Sequence, residues 1–486
     1  MKSAIGRLSG RTAARWLGAV LDGVDRLLAP LHRSAASVSL TRVDALAMAM
    51  LWAIAAAYIW YATSFFFNDV WAHPFRLVDS RPISSLDIYH DSDIPCIMDL
   101  FLGRDLENLQ YHPTVNTHPL FLSMVHLPSR FVRAMFEDPL FGARIVFLGI
   151  VPLTSAALYA LARGIGVQPL PSVLATASAL STAAFTHWAG VPETYSLAFL
   201  TIAVPFALLA TSSTWNTPVW AAVMALSGSI TVTNWTAGGL AVLARFPIPE
   251  SLMIAAIAVS VILILQSIEA YWFKHKRMVL SKNFYYDLSK ILGFSNFPLP
   301  YRLQDHQVRT LFTDAPFLWS DRLNNLLIFA AVAPIPRVRG VAMKNASVGR
   351  MVSFYDLPLA ALGRVGGTGA CAWVGLCVLG LWSALRSPRR DVAFATIGFL
   401  LFHVSLHLAF GETPFLYVLH SLPSFAALIT FAVAGPHERL AVALALIFIA
   451  AAAPTNVLRF VESANLATDL LTARIDLRAR SALGDY

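Results

Sequence analysis

The sequence predicts an all-α polytopic membrane protein, and three observations carry that prediction. Of its 486 residues 57% are hydrophobic and only 13% charged, and the mean hydropathy is +0.62, too little polar side chain to cover a soluble globule of this size. Apolar runs long enough to cross a hydrocarbon core of about 30 Å recur through most of the chain. The apolar–polar alternation of a membrane β-barrel is absent, so the spans are read as helices.

Seven cations, Lys2, Arg7, Arg11, Arg15, Arg26, Arg33 and Arg42, precede the first span, which by the positive-inside tendency places the N-terminus in the cytoplasm. Residues 6–40 have neither an unbroken apolar core nor a small-residue cleavage site, and read as an amphipathic surface helix rather than a signal peptide. Spans are expected at 45–67, 145–162, 172–188, 195–210, 219–232, 252–273, 359–385, 392–410, 415–433 and 440–452. A shorter run at 237–243 would complete another, giving about ten or eleven spans of about 20 residues each. The organisation expected is a basic cytoplasmic segment at 1–43, a bundle at 44–454, and an amphipathic tail at 455–486 resting on the outer surface.

Two long loops interrupt the bundle. The first, 68–144, follows the first span and so lies outside; it contains an amphipathic segment at 119–136. The second, 274–358, mixes Phe284, Tyr285, Tyr286, Phe294, Phe297 and Tyr301 with Arg302, Arg309 and Arg322, and reads as a loop along the membrane interface. If 237–243 crosses, the loops at Arg163, 211–217, 386–391 and 435–439 all fall inside. Asp91, His118, Glu193, Asn234, the loop 274–358, His407, Glu412 and His420 then share the outer face, and polar residues at one membrane face are read as a shared site. "KHKR", Lys274 to Arg277, opposes the charge rule in that arrangement. Either the short run does not cross, or these cations are kept outside to hold a phosphate; we take the second reading.

In the first outer loop, "DIYHDSDIPCIMDLF" groups Asp87, His90, Asp91 and Asp93. Ser92 and Asp93 before Pro95 are also an ordinary helix start. Asp87 and Asp91, four apart, repel on one helix face unless solvated or bridged by a cation. Farther along the same loop stands "YHPTVNTHPLF", leading into the amphipathic segment. An acidic residue soon after the first span, followed by a His-Pro-Leu motif entering a membrane-surface helix, resembles the GT-C superfamily of polyprenyl-phosphate-sugar-dependent glycosyltransferases. Protein O-mannosyltransferases and lipid A aminoarabinose transferases are its nearest images.

The resemblance implies a GT-C-like bundle in the bacterial inner membrane with its active site facing the periplasm. Its partners would be a polyprenyl-phosphate sugar donor, a periplasmic acceptor (lipid, glycan or protein) and the bilayer, without nucleic acid. The essential Asp of the family falls on Asp91 or Asp93, and the motif on His118, Pro119 and Leu120. Leu120 stands where the family has a second Pro, and no Glu follows either Asp, so the resemblance extends to the superfamily and not to a subfamily. A carboxylate suits the general base that takes the acceptor's proton, and Arg, Lys or His⁺ suits the departing phosphate. Lys274, His275, Lys276, Arg277, Arg302 and Arg322 are candidates for the second role, although a solvated or headgroup-facing cation of the ordinary snorkelling kind is the commoner reading of each.

The later spans add polar residues. Glu193 opens a span, as a first-turn carboxylate or as a partner of sugar hydroxyls. Asn234 and Trp235, followed by Gly238 and Gly239, break an apolar run. In "FHVSLHLAFGETPFLYVLHSLP", His403 and His407 lie one turn apart, followed by Glu412, Tyr417 and His420. Two such His suit a metal ligand pair or hydrogen bonding within the bundle, and the resemblance makes this a donor pocket. His90, His118, Glu193, Asn234, His407, Glu412, Tyr417 and His420 are therefore candidate substrate contacts. A divalent cation on Asp91, Asp93 and His90 is compatible with their chemistry. Cys96, Cys371 and Cys377 have neither the number nor the spacing of a disulfide framework or a zinc site. The competing reading is a transporter or flippase for an amphipathic or lipid-linked solute; internal repeats, which many transporters carry, are absent.

Overall fold

The structure, a computed structural model, describes residues 10–32, 41–72, 89, 94, 118–136, 138–212, 216–272, 317–342, 348–354, 357–410 and 414–482. In chain order the main elements are α1 (Gly10–His32), α2 (Arg42–Thr63), α3 (Phe121–Met135), α4 (Pro139–Ile165), α5 (Pro169–Leu180), α6 (Ala183–Trp188), α7 (Tyr195–Thr211), α8 (Thr217–Ile230), α9 (Trp235–Arg245), α10 (Ile248–Trp272) and α11 (Phe317–Leu323). A hairpin of β1 (Arg337–Ala342) and β2 (Val348–Ser353) follows, then α12 (Gly363–Arg386), α13 (Arg390–Phe410), α14 (Val418–Ala434) and α15 (Glu438–Ala482). Among the described residues six helical segments are long and apolar enough to cross a membrane, belonging to α2, α4, α10, α12, α13 and α15, with α5, α7, α8 and α14 as shorter apolar helices. The chain is thus a predominantly helical, multi-pass membrane protein.

Helix α14 is buried along its length, as a helix apolar on every side must be. It packs against α5, α7, α12, α13 and α15, while α7 packs against α4, α8 and α9. Helix α2 is greasy yet mostly exposed to the surroundings and lies on α4, which fits a lipid-facing position.

Charge gathers at one end of the bundle, here called the arginine pole. Asp44, at the start of α2, accepts from the Thr41 backbone N–H (2.7 Å), the Tyr159 hydroxyl (2.7 Å) and Arg163 Nε (2.5 Å), joining α2 to the end of α4. Arg389 pairs with Asp391 at 2.9 Å and donates to the carbonyls of Gly164, Ala210 and Leu209, the last turns of α4 and α7. Those carbonyls have no partner within their own helices, and a buried guanidinium with several donors satisfies them together. A Cβ on Gly164 would stand 2.5 Å from the Ala210 carbonyl carbon, so the two helices meet backbone to backbone here. Helix α1 docks at the same pole: Asp25 accepts from the Ile248 N–H (2.6 Å) and His32 bonds the Leu243 carbonyl (3.3 Å).

Four features depart from the sequence expectations. The expected span 172–188 is two helices, broken at Ser181–Thr182. Its small Ser, Thr and Ala residues are apolar enough to read as one helix, and hydropathy carries no signal of the break. The interfacial loop expected at 274–358 contains α11, a π-helical turn Asn324–Phe329 and the β-hairpin, a small two-stranded addition to a predominantly helical chain. Residues 330–333 of that segment are buried in the core. Helix α15 runs unbroken for 45 residues through 454, where the tail is expected to begin, with Pro454 inside it, about 68 Å at 1.5 Å per residue, more than twice a hydrocarbon core.

The break in the span is held by Asn456 of α15. Its amide donates to the Ser181 carbonyl (2.7 Å) and the Ala331 carbonyl (2.8 Å) and accepts from the Ala333 N–H (2.8 Å). Ala183 and Ala184 N–H donate to the carbonyls of Ala331 and Ala330 at 2.9 and 2.7 Å. The carbonyls of Ser181, Ala330 and Ala331 and the N–H groups of Ala183, Ala184 and Ala333 are thereby satisfied by protein, which the apolar medium requires. Asn456→Leu removes three buried hydrogen bonds and leaves their partners unmet. It is expected to destabilise the detergent-solubilised protein by about 3 kcal/mol or more, and Asn456→Asp, which keeps the acceptor but sets a buried carboxylate oxygen against the two carbonyls, by at least as much. Thermal unfolding of the two variants measures the difference.

Candidate functional site

The opposite end, the histidine pole, is built by three corners of the bundle. At the first, α6 ends and α7 begins. Gly190 sits against α2, where a Cβ would fall 2.5 Å from the Ala62 methyl. The next turn holds Glu193, buried, with Oε2 accepting from the Thr194 N–H at 3.1 Å. A carboxylate beside the amino end of α7 meets unpaired N–H groups and the positive end of the helix dipole. His187, Trp188 and Tyr195 flank this corner. Tyr89 is buried against it, 5.7 Å from the Trp188 ring, with its hydroxyl 3.1 Å from His187 Nδ1 and donating to the His187 carbonyl at 3.3 Å. Burial pushes that hydroxyl well above its ordinary pKa, with Tyr58 adding to the shift, so it remains a phenol.

At the second corner the His-Pro-Leu motif meets the end of α8. His118 Nδ1 lies 2.6 Å from the Ile230 carbonyl oxygen, and the Leu120 N–H donates to the Ser229 carbonyl at 2.8 Å. A carbonyl only accepts, so Nδ1 carries a hydrogen and donates it to Ile230. Helix α3 follows with no side-chain cap of its own. Glu269 of α10, fully buried, supplies one from across the bundle, accepting from the Ser123 N–H at 2.5 Å. The motif is thus clamped by α8 on one side and a carboxylate on the other. Asn234 closes the corner at the start of α9; its side chain is fully buried and neither amide atom has a hydrogen-bond partner.

The third corner joins α13 to α14. His407 and His403 bond through their Nε2 atoms at 3.0 Å, and His403 Nδ1 lies 2.8 Å from Ser421 Oγ. Tyr417 stacks on His407, with ring centroids 4.1 Å apart and 15° between planes. His420 faces His403 at 5.4 Å and Tyr195 at 5.5 Å, and His118 comes near enough to act on it electrostatically. Arg322 of α11 donates through Nη1 to the Leu408 carbonyl at the end of α13, while its buried Nε has no partner.

His118, Glu193, Asn234, Arg322, His407, Tyr417 and His420, scattered over about 300 positions of sequence, therefore stand at one pole. Asp91, Asp93, His90, Lys274, Lys276, Arg277, Arg302 and Glu412 lie outside the described residues; Tyr89 and Ile94, on either side of 90–93, are both buried. Sequence reasoning missed Tyr89, His187, Ser421 and Glu269. Only Glu269 carried a signal, being a lone carboxylate in the apolar run of α10. Among the described residues no three His, Cys, Asp or Glu side chains converge to hold a metal ion.

Comparison with protein-family models, with curated proteins and with solved structures finds no match.

The trans cap is separately testable. Glu269→Ala is expected to raise hydrogen exchange of the first-turn amides of α3 about tenfold, the loss of a cap of about 1.4 kcal/mol, whereas Glu269→Gln, which keeps an acceptor oxygen, changes it little. Exchange mass spectrometry on residues 121–126 measures both.

Proposed function

We propose that the protein is a membrane glycosyltransferase that moves a sugar from a polyprenyl-phosphate carrier to an acceptor at the periplasmic face of a bacterial inner membrane. The observation that carries this reading is the company kept by His118. The motif that resembles the GT-C superfamily lies at the same pole as Glu193, Asn234, His420, Tyr417 and Arg322, and opposite the pole where Arg163, Arg389 and α1 gather. The arginine pole fits the cytoplasmic side by the positive-inside tendency, which leaves the histidine pole facing the periplasm.

The chemistry divides among these groups. Asp91 or Asp93 takes the proton of the acceptor hydroxyl or amine as it attacks the anomeric carbon. Arg322, with Lys274, Lys276, Arg277 and Arg302, meets the charge that develops on the leaving phosphate. Asn234 has one acceptor and two donor hydrogens to offer sugar hydroxyls, and Glu193, Tyr417, His420, Glu412 and His90 are assigned to the same task in this reading. Whether a divalent cation assists at Asp91 and Asp93 is read from the activity after chelation.

The broken span α5–α6 is the one observation favouring a transporter, since discontinuous helices often bind solutes. Its unwound groups are satisfied by Asn456, Ala330 and Ala331, which weighs for a structural joint.

Release of polyprenyl phosphate from a panel of labelled polyprenyl-phosphate sugars, with membrane-extracted acceptors, tests the proposal. Wild type is expected to transfer sugar. Either Asp91→Asn or Asp93→Asn is expected to lose about 10²-fold or more of that rate while still binding donor. No turnover with any donor, together with movement of labelled lipid across vesicles, would sink the transferase reading in favour of transport.

A further inference from the structure

Helix α1 takes no part in the histidine pole, and its sides divide its residues by chemistry. Asp25, Leu28 and His32 follow one another at the spacing that keeps residues in line along a helix. That side is docked on the bundle: Asp25 accepts from the Ile248 N–H at 2.6 Å, Leu28 is buried, and His32 bonds the Leu243 carbonyl at 3.3 Å. Val20 and Val24, one turn apart on a second side, are 40% and 37% exposed. Asp22 and Arg26 are exposed on a third, where Arg26 Nε donates to the Asp22 carbonyl at 3.2 Å. By register Arg15 and Arg11, about three and four turns before Arg26, belong to that third side.

A helix with one side on protein, one apolar side open and one cationic side matches the boundary between acyl chains and headgroups, where apolar side chains meet the chains and cations meet phosphate. Helix α1 docks at the arginine pole, which the charge rule sets at the cytoplasmic face, and the lipids of that leaflet carry net negative charge. Anionic phospholipid is the occupant that completes both open sides, with acyl chain against Val20 and Val24 and phosphate against Arg26. A soluble acidic partner would answer the cations and leave the valines in water.

The docked side gives this contact a consequence. Helix α10 is mostly open to its surroundings, and its first N–H, that of Ile248, has no partner within the helix. Asp25 supplies one from α1, as Glu269 of α10 supplies one to α3 at the other pole. We propose that α1 is a strap that binds anionic phospholipid of the cytoplasmic leaflet and, seated on it, holds the inner end of α10 against the bundle. The strap requires the arginine pole to face the cytoplasm, and it stands whether or not the protein transfers sugar.

Hydrogen exchange of the full chain in nanodiscs of phosphatidylcholine, with and without phosphatidylglycerol, tests the strap. Phosphatidylglycerol is expected to slow exchange across residues 19–32 about tenfold or more at low salt, and to slow it less at high salt, which screens headgroup charge. Arg26→Gln is expected to reduce that slowing about fivefold, the worth of one cation at an anionic surface, and Arg11→Gln/Arg15→Gln/Arg26→Gln to abolish it. Residues 248–251 are expected to exchange more slowly with phosphatidylglycerol as well. Asp25→Ala separates docking from lipid binding: exchange at 248–251 is expected to rise about fivefold, as for a lost cap, while the effect of phosphatidylglycerol on α1 remains. Equal exchange of α1 in the two lipids, or slowing that survives in the triple variant, would overturn the lipid contact. If that equal exchange is slow and native mass spectrometry shows a dimer, the open sides belong to a second copy instead. Residues 248–251 unmoved by phosphatidylglycerol or by Asp25→Ala would overturn the hold on α10.

Discussion

The requirement that every backbone polar group be satisfied inside an apolar medium governs this fold, and it acts most visibly at Ser181–Thr182. There a span that hydropathy reads as continuous is interrupted, and Asn456 of the last helix meets the groups released. The break gives α6 a course of its own, which delivers His187 and Trp188 to the corner where α7 begins. Trp188 donates to the Phe415 carbonyl at 2.9 Å just ahead of α14, so the joint, the α7 corner and the α14 corner are linked. A residue far along the chain thus holds the aromatic wall of the site in place.

The two poles solve different problems with different groups. At the arginine pole, helix ends from α4 and α7 meet Arg389, and Asp44 gathers a tyrosine, a threonine and an arginine. Charges there are paired and bonded, which is the condition for keeping them buried. The histidine pole relies on imidazoles, an amide, phenols, the buried Arg322 and two buried carboxylates, Glu193 and Glu269, each carboxylate set against a backbone N–H near a helix start. At the same pole the Asn234 amide and His420 Nε2 are buried without a hydrogen-bond partner.

Legibility of the sequence followed the length scale of each signal. Long apolar runs marked α2, α4, α10, α12 and α13, because burial in lipid imposes composition over a whole span. Shorter signals failed. Nothing in "ASALSTAAF" separates a broken helix from an intact one, since small residues serve both. The π-helical turn, the hairpin and the uninterrupted passage of α15 through Pro454 depend on partners distant in the chain. Trp373, for instance, donates to the Leu327 carbonyl of the π-turn at 3.0 Å.

By itself the sequence determined that this chain enters a membrane many times as helices, and it marked His118, Glu193, Asn234, Arg322, His407, Tyr417 and His420 as polar residues at span ends. Composition and hydropathy are sums over local windows, and these properties are local. Only the tertiary structure decided that His403 meets His407 and Ser421, that Glu269 caps α3, and that Asn456 bridges Ser181 to Ala331 and Ala333. Hydrogen bonds act over about 3 Å, and positions hundreds apart come that close only when the bundle has packed.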